Sequence, residues 1–463
     1  MSGGRRRKLD VAQGVATTDL VLEEDTMMEP LSIAFVSQYF YPEQFSNNAI
    51  VEELVRRGHA VDVVTGVPNY GRDGFFDGYS NSKRREEDWR GARIYRARSV
   101  PRRQTKLRLL LNYLTFPVTG SWTALRRLRT RPDVVFASLL SPIFQAIPAI
   151  FVSRYHRVPL VYWVQDIWPE SAIYTLGLKN RFVVGMLTAI SGWIFRRADL
   201  ILVQSAAFPP VISRFGIQPE RIRVLPNTAP PMYRPMDPNE APAARALMPE
   251  AGFRIVFAGN IGESQDFDTL LGAAHILRER QDLHWVIIGS GRDLDRVRAR
   301  AVDLGVIDRF HLLGRHPEET MPGFFAHADV LIVPLRDNDI FNLTVPYKIQ
   351  CYMACGRPIL AAIAGEGRRI IKESGAGLVA PPSDPAALAG AVTQMLAMPA
   401  AERAAMGARA RDYFMAHYSG ARIYGDLETW LSEVAEQYPC SRKAHFVKRP
   451  KSEKEAGSST ASS

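Results

Sequence analysis

Two short runs hold residue types that could grip an anion, and a third holds an acid placed to meet them. The first is Gly259-Asn260-Ile261-Gly262, which follows a strand-like run ending at Phe257-Ala258 and precedes the helical pair Leu270-Leu271. Glycines at a strand-to-helix turn let the backbone approach a phosphate, and the helix start adds free amides and a partial positive charge. An ordinary tight turn of an α/β fold shows the same pattern. The second run is Asn342-Leu343-Thr344-Val345-Pro346-Tyr347-Lys348. A polar loop gives way there to a helix expected from about Val345, with Pro346 in a first turn that does not need its missing amide hydrogen. Lys348 lies in the same turn, where the helix dipole disfavours a cation unless an anion sits between them. A solvated surface lysine is the plain alternative. From Phe341 to Leu360 there is no Asp or Glu. In the third run, Asp166 follows an apolar strand and precedes Ile167-Trp168-Pro169. It either faces a cleft beside a wall of Trp168 and Pro169 or caps the next helix.

Such groups act together only if strand ends bring them together. Short β-branched runs alternate with amphipathic helical stretches, the pattern of a doubly wound parallel sheet. The spacing predicts strands over 31–36, 60–65, 133–137, 160–164, 200–204 and 223–225, then a second series over 254–258, 285–289, 310–313, 330–333 and 358–362. Pro230, Pro231, Pro235, Pro238 and Pro242 fall between the two series. The fold class is therefore α/β, with two Rossmann-like domains facing a central cleft. The expected divisions are a disordered extension (1–29), an N-terminal domain (30–228), a proline-rich linker (229–250), a C-terminal domain (251–420), a final helix (421–438) and a disordered basic tail (439–463).

The chain has 463 residues, 46% hydrophobic and 23% charged, with a net charge of +10. That balance points to an anionic partner. Between Arg96 and Arg131 there are ten Arg or Lys residues and no acid, interleaved with Leu109, Leu110, Leu111, Tyr113, Leu114, Phe116 and Trp122. This is the pattern of a surface that sits on anionic lipid headgroups, and its apolar content argues against nucleic acid. A basic helix packed on its own domain has the same composition. Cys351, Cys355 and Cys440 form neither a disulfide framework nor a metal-binding spacing, which fits a reducing cytoplasm. The first 29 residues lack the apolar core of an export signal, and translation from Met27 or Met28 is an open reading. Residues 134–153 are uncharged, but Pro142 and Pro148 make them a strand, turn and helix rather than a span. The expected location is peripheral, at the inner face of the cell membrane.

Taken in order, these residues resemble the family 4 glycosyltransferases, retaining enzymes of the GT-B fold. The likeness runs from about Leu31 to Trp430. It rests on Gly58-His59, Val67-Pro68-Asn69-Tyr70, Asp166-Ile167-Trp168-Pro169-Glu170, Ala198-Asp199-Leu200-Ile201, Pro226-Asn227, Gly259-Asn260-Ile261-Gly262, Gly314-Arg315, Ala328-Asp329-Val330, Pro346-Tyr347-Lys348 and Ala354-Cys355-Gly356-Arg357-Pro358. Among such enzymes it is most similar to bacterial fucosyl- and N-acetylfucosaminyltransferases of capsule, O-antigen and colanic acid assembly.

The resemblance implies transfer of a sugar from a nucleoside diphosphate donor, with no metal or other cofactor required, to a polyprenyl-diphosphate-linked acceptor. It implies a donor in the C-terminal domain, held by Gly259, Asn260, Gly262, Gln265, Arg315, Asn342, Leu343, Thr344, Val345 and Gln350, with Asp166 and Lys348 as catalytic groups; the resemblance favours uridine, while no residue discriminates uracil from guanine. Two departures stand out. Many members carry Arg and Lys where this chain has Asn260 and Gln265, and two glutamates where it has Leu343 and Cys351. Asn260, Gln265 and Gln350 then become the candidates for holding hydroxyls. Two other classes share the fold-level pattern: a sugar-nucleotide epimerase, which needs histidines and acids converging on the cleft, and a non-catalytic scaffold, which the missing glutamates favour.

Overall fold

The computed structural model describes residues 29–102 and 105–438. The expected N-terminal extension up to Met28, Cys440 and the basic tail lie outside the described residues.

The N-terminal sheet contains β1 (Ser32–Val36), β2 (Ala60–Gly66), β3 (Glu86–Trp89), β4 (Ala92–Ala97), β5 (Val134–Leu139), β6 (Leu160–Val164), β7 (Leu200–Val203) and β8 (Ile222–Val224). Its spatial order is β3-β4-β2-β1-β5-β6-β7-β8, parallel except for the β3 edge. β5 and β6 are buried along their whole length. A strand covered on both faces reads as an unbroken apolar run, so these two were plain in the sequence. Helix α1 (Ser46–Arg56) covers one sheet face with Ile50, Val51 and Leu54. Helices α2 (Lys106–Arg127), α3 (Ala146–His156) and α5 (Arg181–Phe195) cover the other, with the short α4 (Glu170–Leu176) between them. Their inward side chains, including Phe116, Ala149, Ile150, Leu187 and Phe195, share one core.

The C-terminal sheet is six-stranded: β9 (Phe253–Ala258), β10 (Leu283–Ile288), β11 (Phe310–Gly314), β12 (Val330–Pro334), β13 (Ile359–Ala362) and β14 (Gly377–Ala380). All its pairings are parallel, in the order β11-β10-β9-β12-β13-β14. The proline-rich segment packs Tyr233, Ala244 and Met248 into the core of this domain. The final helix, Gly420–Glu436, returns to the N-terminal sheet with Ile423, Leu427 and Leu431 in the α1-side core. There Glu428 meets Arg57 at 2.6 Å and His59 Nε2 at 3.0 Å. The Leu31 amide donates to His59 Nδ1, so Nε2 is the nitrogen that carries hydrogen toward Glu428.

Candidate active site

The loops that leave the carboxyl ends of the C-terminal strands open into a cleft of about 1100 Å³, with Gln44 contributing from the N-terminal domain. Lys348 stands in the first turn of the helix Tyr347–Ala354. Its Nζ donates to Gln265 Oε1 at 2.5 Å and lies 4.6 Å from the centre of the Phe257 ring. Burial pulls the amine down from its ordinary 10.5 to about 8. Gly259, at φ 142°, makes this possible, because a Cβ there would sit 2.5 Å from Lys348 Cε. Gly289 on the neighbouring strand end would drive a Cβ to within 1.8 Å of the Gly259 carbonyl oxygen. The two glycines thus let two strand ends and a lysine stem meet in one place.

Of the donor residues expected from the sequence, Gly259, Asn260, Gln265, Arg315 and Thr344 line this cleft together with Lys348. Gly262, Asn342, Leu343, Val345 and Gln350 are not in its lining. In the first loop the amides of Gly259 and Ile261 donate to the Ile288 and Ser290 carbonyls, and only those of Asn260 and Gly262 lack such a partner. A 3₁₀ turn over Glu263–Gln265 also intervenes before the helix Phe267–Ile276, so that helix does not begin at the glycines.

The second loop departs further from expectation. Residues Asp339–Leu343 form their own short helix, capped by Asn338, and the main helix begins at Tyr347 with Pro346 as its cap residue. The Asn342 and Thr344 amides bond within that turn, to Asn338 and Phe341, so they cannot cradle a phosphate. The Asn342 side chain donates to Asp337. Val345 is buried in the C-terminal core. Leu343 packs against the N-terminal core, and its carbonyl accepts a hydrogen bond from Ser205. Gln350 is 1% exposed and its Oε1 has no partner among the described residues. Positions 348 and 350 lie about 200° apart around a helix, so one faces the cleft and the other the core.

Two acids that the motif reading passed over lie in the cleft. Glu318 and Glu319 follow β11 and line the same space as Lys348. Glu318 Oε1 accepts from Tyr233 Oη at 3.3 Å, and its charge is felt at Tyr347 and Cys351. No motif marks them, because they come from a different loop. Among the described histidines only His316 lines the cleft, while His284 and His311 pair with each other.

In the N-terminal domain, Asp166 follows β6 and, contrary to expectation, is not in the lining of the cleft; it does not cap α4 either, whose cap residue is Pro169. Its Oδ2 accepts from the Ser141 amide at 2.9 Å and the Ser141 hydroxyl at 2.8 Å, and that hydroxyl also accepts from Trp168 Nε1 at 3.0 Å. Burial raises the Asp166 carboxyl and the two Ser141 bonds oppose the shift. Glu43, also unmarked in the sequence, takes the Asn69, Tyr70 and Phe40 amides on its carboxylate and is pushed by burial to about 7.

Two α/β domains with parallel sheets, the C-terminal one setting Lys348 over paired strand-end glycines in the cleft, form a GT-B architecture. Comparison with known proteins makes the class specific. A family model described as Glycosyl transferase 4-like domain matches residues 46–228, and one described as Glycosyl transferases group 1 matches 252–398. The chain belongs to the glycosyltransferases of this group 1, family 4 type. The probable glycosyltransferase WbjE of Pseudomonas aeruginosa is 28% identical over 262 residues, 55% of this chain and 64% of that protein. A D-inositol 3-phosphate glycosyltransferase of Salinispora tropica is 30% identical over 49% of each chain. The matches thus span from about half to somewhat under two thirds of these relatives. Among solved structures, the sucrose-phosphate synthase of Thermosynechococcus elongatus superposes with TM-score 0.64 at 16% identity, covering 88% of this chain and all of that one. HepE of Anabaena, solved with UDP and glucose, gives 0.62 at 15% identity, covering 87% and 99%. At such identities the likeness is one of fold.

Proposed function

We propose that the protein moves a hexosyl or N-acetylhexosaminyl unit, with retention, from a UDP-sugar to a lipid-linked glycan acceptor in surface polysaccharide assembly. An N-acetylfucosamine-like sugar follows from the sequence resemblance alone. The observation that carries the reading is the half-buried, cleft-facing Lys348, seated in a helix N-terminus over Gly259. A desolvated cation beside free helix amides is a site for a diphosphate. Glu318 and Glu319 supply the carboxylates for ribose or sugar hydroxyls that the helix lacks at Leu343 and Cys351.

In the reaction the bond from the anomeric carbon to the diphosphate oxygen breaks as the acceptor oxygen bonds to the same face. The acceptor proton passes to the departing phosphate oxygen. Lys348 and the helix amides stabilise the charge that develops there. Asp166, with Oδ2 fixed by Ser141, uses Oδ1 to position the acceptor hydroxyl. No metal is assigned a role. The acceptor side is proposed to work at an anionic membrane, with the protein peripheral to its inner face.

Calorimetric titration with UDP and GDP, with and without Mg²⁺, tests the donor half. UDP is expected to bind without metal, and Lys348→Ala to abolish that binding while the protein melts normally. Binding of neither nucleotide would overturn the reading and favour the scaffold.

A further inference from the structure

The N-terminal domain carries an arginine that the donor site does not use. Arg102 lies between β4 and α2, half-buried, in the stretch the sequence assigned to a lipid surface. Its guanidinium lies 4.8 Å from the centre of the Tyr70 ring and 5.7 Å from that of Tyr113, and donates to the Tyr113 hydroxyl at 3.4 Å. Tyr39 also feels its charge, and the buried Tyr39 hydroxyl has no partner among the described residues. The rings around Arg102 are neutral tyrosines, and Arg102 makes no ion pair among the described residues. The nearby acids are committed elsewhere, Glu43 to three backbone amides and Asp166 Oδ2 to Ser141.

An uncharged network fixes the arginine in place. Asn69 Oδ1 accepts from the Arg102 amide at 3.0 Å and from Asn112 Nδ2 at 3.1 Å, and Asn112 Oδ1 accepts from Gln38 Nε2 at 3.0 Å. A cation withdrawn from water among neutral rings, with no counter-charge, is costly unless a ligand brings one.

The neighbours say which ligand. Tyr70 packs on Phe45, next to Gln44 in the cleft lining, and Tyr113 is close enough to Asp166 to feel its charge. On the other side α2 begins, with Leu107, Leu110, Leu111 and Leu114 exposed. We propose that Arg102, framed by Tyr39, Tyr70 and Tyr113, binds a phosphate or diphosphate group of the acceptor. The acceptor's reacting hydroxyl then reaches toward Asp166, and an attached lipid runs along the α2 leucines. The assignment rests on the glycosyltransferase reading for what an acceptor is, but the anion site is testable apart from it.

The intact protein, saturated with UDP to occupy Lys348, is titrated with inorganic pyrophosphate and with geranyl diphosphate. Both are expected to bind, and Arg102→Gln to weaken both by about tenfold or more with UDP affinity unchanged. Arg102→Lys retains part of the affinity, and Tyr39→Phe, which removes only a hydroxyl, weakens it several-fold. Tighter binding of geranyl diphosphate supports a lipid-linked acceptor, and equal binding supports a soluble phosphorylated one. Undiminished pyrophosphate binding in Arg102→Gln overturns the proposal. A protein that fails to bind UDP speaks against the donor site instead, and comparing Arg102→Gln with the unaltered chain reads Arg102 in either case.

Discussion

Burial leaves Lys348 charged at neutral pH but brings its titration down to about 8. Below about pH 8 the amine carries the charge that a diphosphate needs, and above it the neutral amine offers only a weak donor. A bound diphosphate stabilises the charged form and draws the value back up. UDP affinity is therefore expected to be flat from pH 7 to 7.5 and to fall above 8, by up to about tenfold per unit. Binding near pH 8.5 should take up a proton, measured by titration in buffers of different ionisation enthalpy. No uptake, with a flat profile, would remove Lys348 from the diphosphate. Glu318 makes a second, separable claim. Its carboxylate is proposed to hold donor hydroxyls, bonds to charged groups of about 1.5–3 kcal/mol. Glu318→Gln should raise the donor KM about tenfold or more by that figure, with kcat much less affected. Steady-state kinetics in which KM stays and kcat collapses would assign Glu318 to the chemistry instead.

The helix turn Asp339–Leu343 shows why one element was misread. Asn338 caps it, Phe341 sets its ring edge-on to Tyr174 at 5.6 Å, and Leu343 leans on the N-terminal core. The position at which the resemblance leads one to expect an acid thus serves here as an apolar contact between the two domains. Leu343→Glu, which introduces the acid the resemblance implies, should not create a donor contact. It should lower the melting temperature by several degrees, since a carboxylate driven against apolar side chains costs about 1–3 kcal/mol. Unchanged melting with improved transfer would sink this account. Elements with strong local patterns were legible: the buried strands β5, β6 and β12, and the glycine turn after β9. The sequence reading missed the hairpin of β3 and β4, where Glu86-Glu87-Asp88 and Arg93 and Arg96 interrupt the apolar run. It also missed β14, four residues long. In the site, Lys348 and Gly259 were legible because a turn imposes its chemistry locally. Glu318 and Glu43 were not, because their roles arise only when separate loops meet.

At the scale of the molecule, one face of the N-terminal domain stands apart. α2, α3 and α5 contain no Asp or Glu, and all three lie on the same side of the sheet. Outward they show Leu107, Leu110, Leu111, Leu114, Val118 and Trp122 on α2, Phe151 and Tyr155 on α3, and Phe182, Met186 and Trp193 on α5. Trp122 is 63% exposed and Phe182 80%. Arg108, Arg126, Arg154 and Arg181 stand among them without an ion-pair partner among the described residues, whereas Arg96, once counted with this surface, is buried against Glu87. No described helix is long and apolar enough to cross a membrane, so this face would lie on a bilayer rather than enter it. The protein is expected to co-sediment with vesicles containing anionic lipid, weakly with neutral ones, and less as salt rises past about 0.15 M. Arg108→Glu with Arg126→Glu should lose the preference for anionic vesicles. Trp122→Ser with Phe182→Ser should lower affinity for both kinds, because those rings lie on different helices of the one face. If the second pair co-sediments like the unaltered protein while the first does not, attraction is electrostatic only. A membrane seat for the acceptor would then have to be sought on another surface.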